Sequence, residues 1–233
     1  MKKTSKEQKV DGTLIMAANS LGLEEDIPTR ALASLHSSEL LIFEEDRPAR
    51  QVLKKAKLRR SYLKFNEHGQ EETLQALSEA LKKGQTAVYM SDQGSPCLAD
   101  PGRPLLSLAY KLGARVLSIP GPSAITAALS SCPFDLKEFF YAGFLPRTPS
   151  EREKKLKKLA AMRVPLILLD TPYRLLDLVT SCEQVLQHRY RGFLALDISG
   201  EQESYFWGSL SSLRKKAEEI HKLNFVLILD PVE

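Results

Sequence analysis

The chain has 233 residues, 43% of them hydrophobic and 27% charged, with a formal net charge of +4. This supplies enough apolar side chain for one large core or two modest ones, and apolar runs recurring from end to end exclude an intrinsically disordered chain. A membrane-spanning helix is excluded too, because the longest runs, LILLD and FVLILD, fall far short of the roughly 20 apolar residues that cross a bilayer. The opening MKKTSKEQKVDG carries charge with no apolar core behind it, so residues 1–11 read as a solvated tail and not as a secretory signal.

TLIMAA (13–18) is the first strand, closed by the turn signal Asn19-Ser20-Leu21-Gly22. A helix is expected over about 29–37 with Thr29 as its cap, then a strand over 39–45, a helix near 50–57 and an extended piece near 62–65. Leu74, Leu77 and Leu81 recur at helical spacing, so residues 71–83 form a helix that stops at Gly84. TAVYMS (86–91) is almost continuously apolar, as a strand covered on both faces should be. A helix over 104–112 ends at Gly113, and RVLSIP (115–120) is another strand. This alternation argues for a mostly parallel α/β sheet with right-handed crossovers. Gly121-Pro122-Ser123 punctuates the chain, and Ser123 can cap the helix AITAALSS that follows.

The first α/β domain is therefore placed at 12–118 and a second at 119–233. The second repeats the logic less regularly, with strands at 139–144, 165–170, 192–199 and 225–230 and helices near 150–161, 173–186 and 210–223. Cys97, Cys132 and Cys182 are odd in number and far apart, and His36, His68, His188 and His221 share no ligand spacing. No metal site and no disulfide framework is expected; reduced thiols fit a reducing cytoplasm.

In open α/β sheets ligands bind outside the carboxyl ends of the strands. The richest segment of that kind is SDQGSPCLADPG (91–102). Gly94 and Gly102 permit positive φ and close backbone approach, Pro96 and Pro101 stiffen the loop, and Asp92 and Asp100 can tie it to itself or receive a ligand's donor. A plain surface turn needs fewer residues than these twelve, whose ordering costs entropy. PGPSA (120–124) follows a strand and opens a helix, so its free N–H groups suit a polar or anionic group; a simply capped helix is the plainer alternative. Two basic runs, KKAKLRR (54–60) and EREKKLKKL (151–159), read first as solvated helix faces. The mild positive charge permits an RNA or phosphate partner without requiring one.

In order, SDQGSPCLADPG, PGPSA and YAGFLP resemble the SDAGTPLISDPG, PGPSA and EGFLP of the tetrapyrrole methylase superfamily, and within it a bacterial subgroup that methylates the 2′-oxygen of a cytidine ribose in 16S ribosomal RNA. FNEH (65–68), EEDRPAR (44–50, against EDTRxxR) and the closing NFVLILD (against FVLVIEG) extend the resemblance from about residue 12 to 230. It departs at ANSLGL (18–23), where the family reads TPIGNL, and at LDISG (196–200), where it reads RELTK with two basic residues. The sequence stops at Glu233, where the ribosomal members usually continue.

The resemblance implies two α/β domains of the tetrapyrrole-methylase type, with S-adenosylmethionine in the cleft between them, in a cytoplasmic homodimer. Carried over, Asp92, Gly94, Ser95, Pro96, Leu98 and Ala99 contact the methionine or ribose part of the cofactor. Ser123 and Ala124 lie beside it, and the turn holding Leu145 and the DTPYR box with Thr171 and Tyr173 close the adenine side. The reaction implied is an in-line methyl transfer from sulfonium to oxygen. A ribose hydroxyl is a poor nucleophile, so a proton acceptor helps, and Glu45, Glu67 and His68 are the candidates.

Arg47 and Arg50 can hold a ribosomal RNA phosphate, or simply pair with Glu44 or Asp46 across a helix start. Tyr62, Phe65 and Tyr173 can stack a base, although core burial is the more natural use of Phe65. The rival expectations are a tetrapyrrole or other small methyl acceptor and a non-catalytic cofactor-binding paralogue. A dinucleotide-binding dehydrogenase is disfavoured, since Asn19–Gly22 supplies no Gly-x-Gly-x-x-Gly.

Overall fold

The computed structural model describes residues 10–66 and 70–232. Two compact units meet between Ser123 and Ala124, and each is built on its own five-stranded sheet.

The first unit runs β1 (Thr13–Ala17), α1 (Thr29–Ser37), β2 (Leu40–Phe43), α2 (Asp46–Lys55), β3 (Leu63–Lys64), α3 (Gln70–Lys82), β4 (Thr86–Met90), α4 (Arg103–Lys111) and β5 (Arg115–Ile119). Its sheet has the order β3-β2-β4-β1-β5 and every pairing is parallel. Side chains alternate across a strand, so β1, β2 and β4 each feed two cores. Ile15, Ala17, Leu41, Phe43, Val88 and Met90 pack against Ala31, Leu35, Ala49 and Val52 of α1 and α2. Leu14, Met16, Ile42, Ala87 and Tyr89 pack against Leu77, Leu81, Leu105 and Ala109 of α3 and α4. Burying each large aliphatic side chain stabilises the unit by about 1.5–3 kcal/mol. That double burial is why these strands read as continuous apolar runs.

Two expectations are corrected in this unit. Thr29 does not cap α1; Pro28 holds the cap position and Thr29 is the first helical residue, with no side-chain cap. The helix expected near 50–57 begins at Asp46, because Pro48 falls in its first turn, where a missing N–H has no intrahelical carbonyl to leave unpaired.

The second unit runs α5 (Ala124–Ser131), β6 (Phe140–Gly143), α6 (Pro149–Ala160), β7 (Leu166–Asp170), α7 (Leu175–Leu186), β8 (Tyr190–Leu196), β9 (Ser204–Ser209), α8 (Leu210–Glu219) and β10 (Phe225–Pro231). Its sheet order is β6-β7-β10-β8-β9. Only β6 and β7 pair in parallel; the other three pairings are antiparallel. The parallel pattern of the first unit is therefore not repeated.

Strand β9 has no counterpart among the sequence expectations. It forms a hairpin with β8 through a turn in which Asp197 (φ 46°) and Ser199 (φ 64°) adopt left-handed backbone. Asp197 accepts from the Gln202 N–H at 2.9 Å. Residues 197–199 thus belong to the turn and not to the strand expected over 192–199. Leu166, Leu168, Leu194, Leu196, Leu227 and Leu229 form the main core with Leu156, Leu178, Val179, Cys182 and Leu213 from α6, α7 and α8. Burial pushes the Cys182 thiol up to about 12, so it serves this core as an inert apolar group. Gly192 lets α8 pack closely on β8: a Cβ there would stand 2.4 Å from a Leu213 methyl, which would have to move.

Candidate active site

Strands β4, β1 and β5 are neighbours and parallel. The segments after them, 91–102, 18–23 and 120–123, therefore emerge at one edge of the sheet, where α/β folds bind ligands. Asn19, a buried polar residue, ties two of them together. Its Nδ2 donates to the Ser91 carbonyl at 3.1 Å and the Asp92 carbonyl at 2.9 Å. Its Oδ1 accepts from Ser20 N–H at 2.8 Å. Its own N–H donates to the Gly94 carbonyl at 2.9 Å, and Gly94 N–H donates back to the Ser20 carbonyl at 3.1 Å. A polar cross-link thus stands where the resembled motif has a proline.

Gly94 sits at φ +67°, and a Cβ on it would lie 3.2 Å from Leu21 Cδ2 and 3.5 Å from the Pro122 carbonyl. Ser95 Oγ donates to that same carbonyl at 3.2 Å. The Asp92 loop and the segment leading to Ser123 are therefore in contact within the first unit. Cys97 and Ala99 hold left-handed backbone, both at φ 65°, a conformation costing a non-glycine residue about 1–2 kcal/mol. Asp100 Oδ1 accepts from Gly102 N–H at 2.7 Å and from the Tyr89 hydroxyl at 3.2 Å. Its Oδ2 is buried with no hydrogen-bond partner among the described residues.

Carboxylates gather at the ends of β2 and β4. Asp92 N–H donates to Glu44 Oε2 at 3.2 Å, and Glu45 N–H donates to Asp92 Oδ1 at 3.1 Å. Burial pushes Glu44 up to about 7; the charges of Asp92, Asp100 and Glu45 add to it, and the Asp92 N–H opposes it. Asp92 is raised as well, again chiefly by burial. Glu45 is exposed and accepts from Asn66 Nδ2 at 3.1 Å. Glu44 is thus the carboxylate poised to exchange a proton near neutral pH. From the sequence it looked only like a partner for arginine, because the neighbours that shift it are 48 and 56 residues away along the chain.

Asp46 is engaged by Lys64 Nζ at 3.1 Å and the Tyr62 hydroxyl at 2.9 Å. Those two hydrogen bonds, the lysine's first, hold its carboxyl below the usual range. Arg47 and Arg50 are exposed on α2, and neither forms an ion pair among the described residues. Glu67 and His68 lie outside the described residues. Phe65 is fully buried, edge-on to Tyr89 at 6.4 Å between ring centres, so it cannot stack a base.

In the second unit, Ala124 is the first residue of α5. The turn after β6 and the box after β7 are clamped by two arginines. Arg174 donates to the carbonyls of Leu145 at 3.1 Å and Pro146 at 2.9 Å, and pairs with Asp170 at 3.0 Å. Arg152, only 4% exposed, donates to Ser181 Oγ at 2.9 Å and the Arg147 carbonyl at 3.0 Å. The 151–159 run is thus not wholly a solvated face: α6 turns Arg152, Leu156 and Leu159 inward.

Leu145 lies in this turn. Its side chain is 3% exposed within the unit's own core, and its carbonyl is already held by Arg174. Thr171 N–H donates to Asp170 Oδ1 at 2.8 Å, while Tyr173 is 76% exposed with the Lys222 ammonium 5.5 Å from its ring centre. Among the described residues no cluster of three His, Cys, Asp or Glu is arranged for a metal, and no helix is long and apolar enough to cross a membrane.

Residues 13–214 match the family described as tetrapyrrole (corrin/porphyrin) methylases. The chain is 32% identical over 225 residues to the ribosomal RNA small subunit methyltransferase I of Leptospira borgpetersenii serovar Hardjo-bovis, covering 95% of this chain and 89% of that protein. It is 29% identical over 218 residues to the protein of the same name from Thermotoga maritima, covering 94% and 97% of the two. Cobalt precorrin-4 methyltransferase superposes with a TM-score of 0.69 at 14% identity, over 94% of this chain and 95% of that one. Uroporphyrin-III C-methyltransferase from Thermus thermophilus, solved with S-adenosylhomocysteine, gives 0.66 at 16% identity, over 94% and 97%. At these identities the two solved structures show a common fold.

Proposed function

The chain belongs to the tetrapyrrole methylase family of methyltransferases, and from that membership we propose that it methylates a ribose 2′-hydroxyl of small-subunit ribosomal RNA. The donor of this family is S-adenosylmethionine, which supplies an activated methyl on a sulfonium. The observation that carries the choice of acceptor is the span of the curated relatives: they align over nearly the whole chain at about 30% identity, whereas the solved corrin and porphyrin enzymes share only its fold.

The 91–102 loop fits the donor. It offers close backbone at Gly94, left-handed turns at Cys97 and Ala99, and a buried free acceptor at Asp100 Oδ2. Asp92, Gly94, Ser95, Pro96, Leu98, Ala99 and Ser123 of the first unit hold it. Backbone groups fixed in advance lower the entropy lost on binding. Glu44 accepts the proton that leaves the ribose hydroxyl, and Glu45 holds the Asp92 loop in place through its N–H. Arg47 and Arg50 engage phosphate. Cytoplasmic residence and homodimer assembly belong to the same reading.

The test is transfer of labelled methyl from S-adenosylmethionine to small ribosomal subunits that lack the modification. Incorporation into ribose is the expected result. One observation favours a second reading, a small acceptor: the 196–200 turn carries no cation, and Asp197 is occupied in holding it. Label on a porphyrinoid and none on RNA would select that reading, and donor binding without transfer to either would mark a non-catalytic paralogue.

A further inference from the structure

On the first unit, the second half of α2 and the segment 56–62 enclose a groove of about 440 Å³, lined chiefly by Arg50, Lys54, Leu58, Arg59, Arg60 and Tyr62. Four cations and no carboxylate face it. Arg60 is committed to the fold: its guanidinium donates to the carbonyls of Glu39 at 2.8 Å, Leu35 at 3.3 Å and Ser38, tying down the end of α1. Arg50, Lys54 and Arg59 are exposed, and none has an ion-pair partner among the described residues. The nearby cations that are paired are different ones, Lys55 to Glu25 at 3.5 Å and Lys64 to Asp46 at 3.1 Å. Tyr62 is fixed by its hydroxyl on Asp46 and its ring edge against Phe43 at 5.4 Å. Leu53 and Leu58 give the groove an apolar floor.

We propose that this groove is a binding site for the phosphate backbone of single-stranded RNA, lying beside the reacting ribose; the proposal rests on the ribosomal-RNA reading above. Arg50 and Lys54 stand at i and i+4 on one face of α2, about 6 Å apart along its axis, a spacing on the scale of successive phosphates along a strand. Asp46, the carboxylate closest in sequence, is bonded to Tyr62 and paired with Lys64 at 3.1 Å, so it offsets the groove's positive charge only in part. The helix that carries these cations starts directly after Glu44 and Glu45 and is about 15 Å long at its rise per residue. A strand held here therefore lies a few nucleotides from the carboxylate that takes the proton. Phosphate contacts fix register and orientation without reading sequence, and a leucine floor with a tyrosine edge tolerates any base above them. The simpler alternative is that Lys54 only complements the negative end of the α2 dipole, which accounts for neither Arg50 nor Arg59.

The test compares the full chain with a variant carrying Arg50→Gln, Lys54→Gln and Arg59→Gln, and with a charge-matched control carrying Lys154→Gln, Lys155→Gln and Lys158→Gln on the exposed face of α6. A fluorescein-labelled single-stranded RNA oligonucleotide is titrated by anisotropy across a salt series, and S-adenosylmethionine affinity is measured in parallel to verify the fold. The groove variant should weaken RNA binding about 30-fold and flatten the slope of log K against log salt by about 2, as expected for three lost phosphate contacts. The control should change affinity less than about 3-fold, and donor affinity should hold in both. Equal RNA binding by wild type and groove variant, equal losses in variant and control, or no RNA binding by the wild type would each overturn the site. If the wild type binds RNA through the groove yet does not methylate small subunits, the ribosomal reading fails while the groove stands.

Discussion

Three residues hold most of the chemistry of the first unit. Glu44 is placed to exchange a proton near neutral pH, because burial and a surrounding set of carboxylates oppose its charge. Replacing Glu44 with Gln should lower kcat about 10²-fold at pH 7.5 and remove a rise in rate through about pH 7; a pH–rate profile of both proteins checks this. The same group ties stability to pH. The folded chain holds the Glu44 proton more tightly than the unfolded chain, so its contribution is fully present below pH 4.5 and is lost as pH rises through about 7. At face value that shift is worth about 3 kcal/mol, and partial solvent access reduces it to about 1 kcal/mol. Thermal melts at pH 5 and pH 8 should show a larger loss for wild type than for Glu44→Gln. Asn19 is the second residue. Asn19→Ala deletes two side-chain donations to buried loop carbonyls and should cost about 2 kcal/mol, with a loss of donor affinity measurable by calorimetry. Gly94 is the third. Gly94→Ala places a methyl at φ +67°, 3.2 Å from Leu21, and should cost about 1–2 kcal/mol, read as a lower denaturation midpoint and weaker donor binding.

At the scale of elements, legibility followed burial pattern and local stop signals. Helix α1 occupies the expected residues, and α3 and β4 fall within a residue of theirs, because leucine spacing, Gly84 and a doubly buried run each carry their own signal. Strand β9 carried none: its aromatic residues do not alternate cleanly, its interior holds Gly208, and it is defined by pairing with β8 across a turn. The start of α2 was hidden by Pro48, a breaker in most settings that is harmless in a first turn. In the site, the 91–102 loop was legible from its glycines and prolines. Glu44, Asn19 and the buried Arg152 were not, since their roles come from contacts 29 to 72 residues away along the chain. Leu145 shows a limit of motif reading: the turn is visible in the sequence, whereas the burial of its leucine side chain in the core is not. A test at this scale is Gly192→Ala, whose Cβ would meet Leu213 at 2.4 Å. It should displace α8 from β8 and cost about 1–3 kcal/mol, read by thermal melting.

For the whole molecule, two sheets of different construction serve one family of reactions. The all-parallel first sheet brings three loops to one edge, and near it lie the left-handed residues Cys97 and Ala99, the unpartnered Asp100 Oδ2 and the half-buried Glu44. The mixed second sheet carries the arginine-clamped turn at Leu145–Arg147 and the exposed Tyr173. The most direct measurement is mass spectrometry of the ribose methyls in small-subunit ribosomal RNA from cells in which the gene for this chain has been deleted and then restored. One 2′-O-methylated nucleoside should be absent after deletion, return with the wild-type chain, and stay at a small fraction with Glu44→Gln. A full complement of ribose methyls in the deleted cells would contradict the assignment.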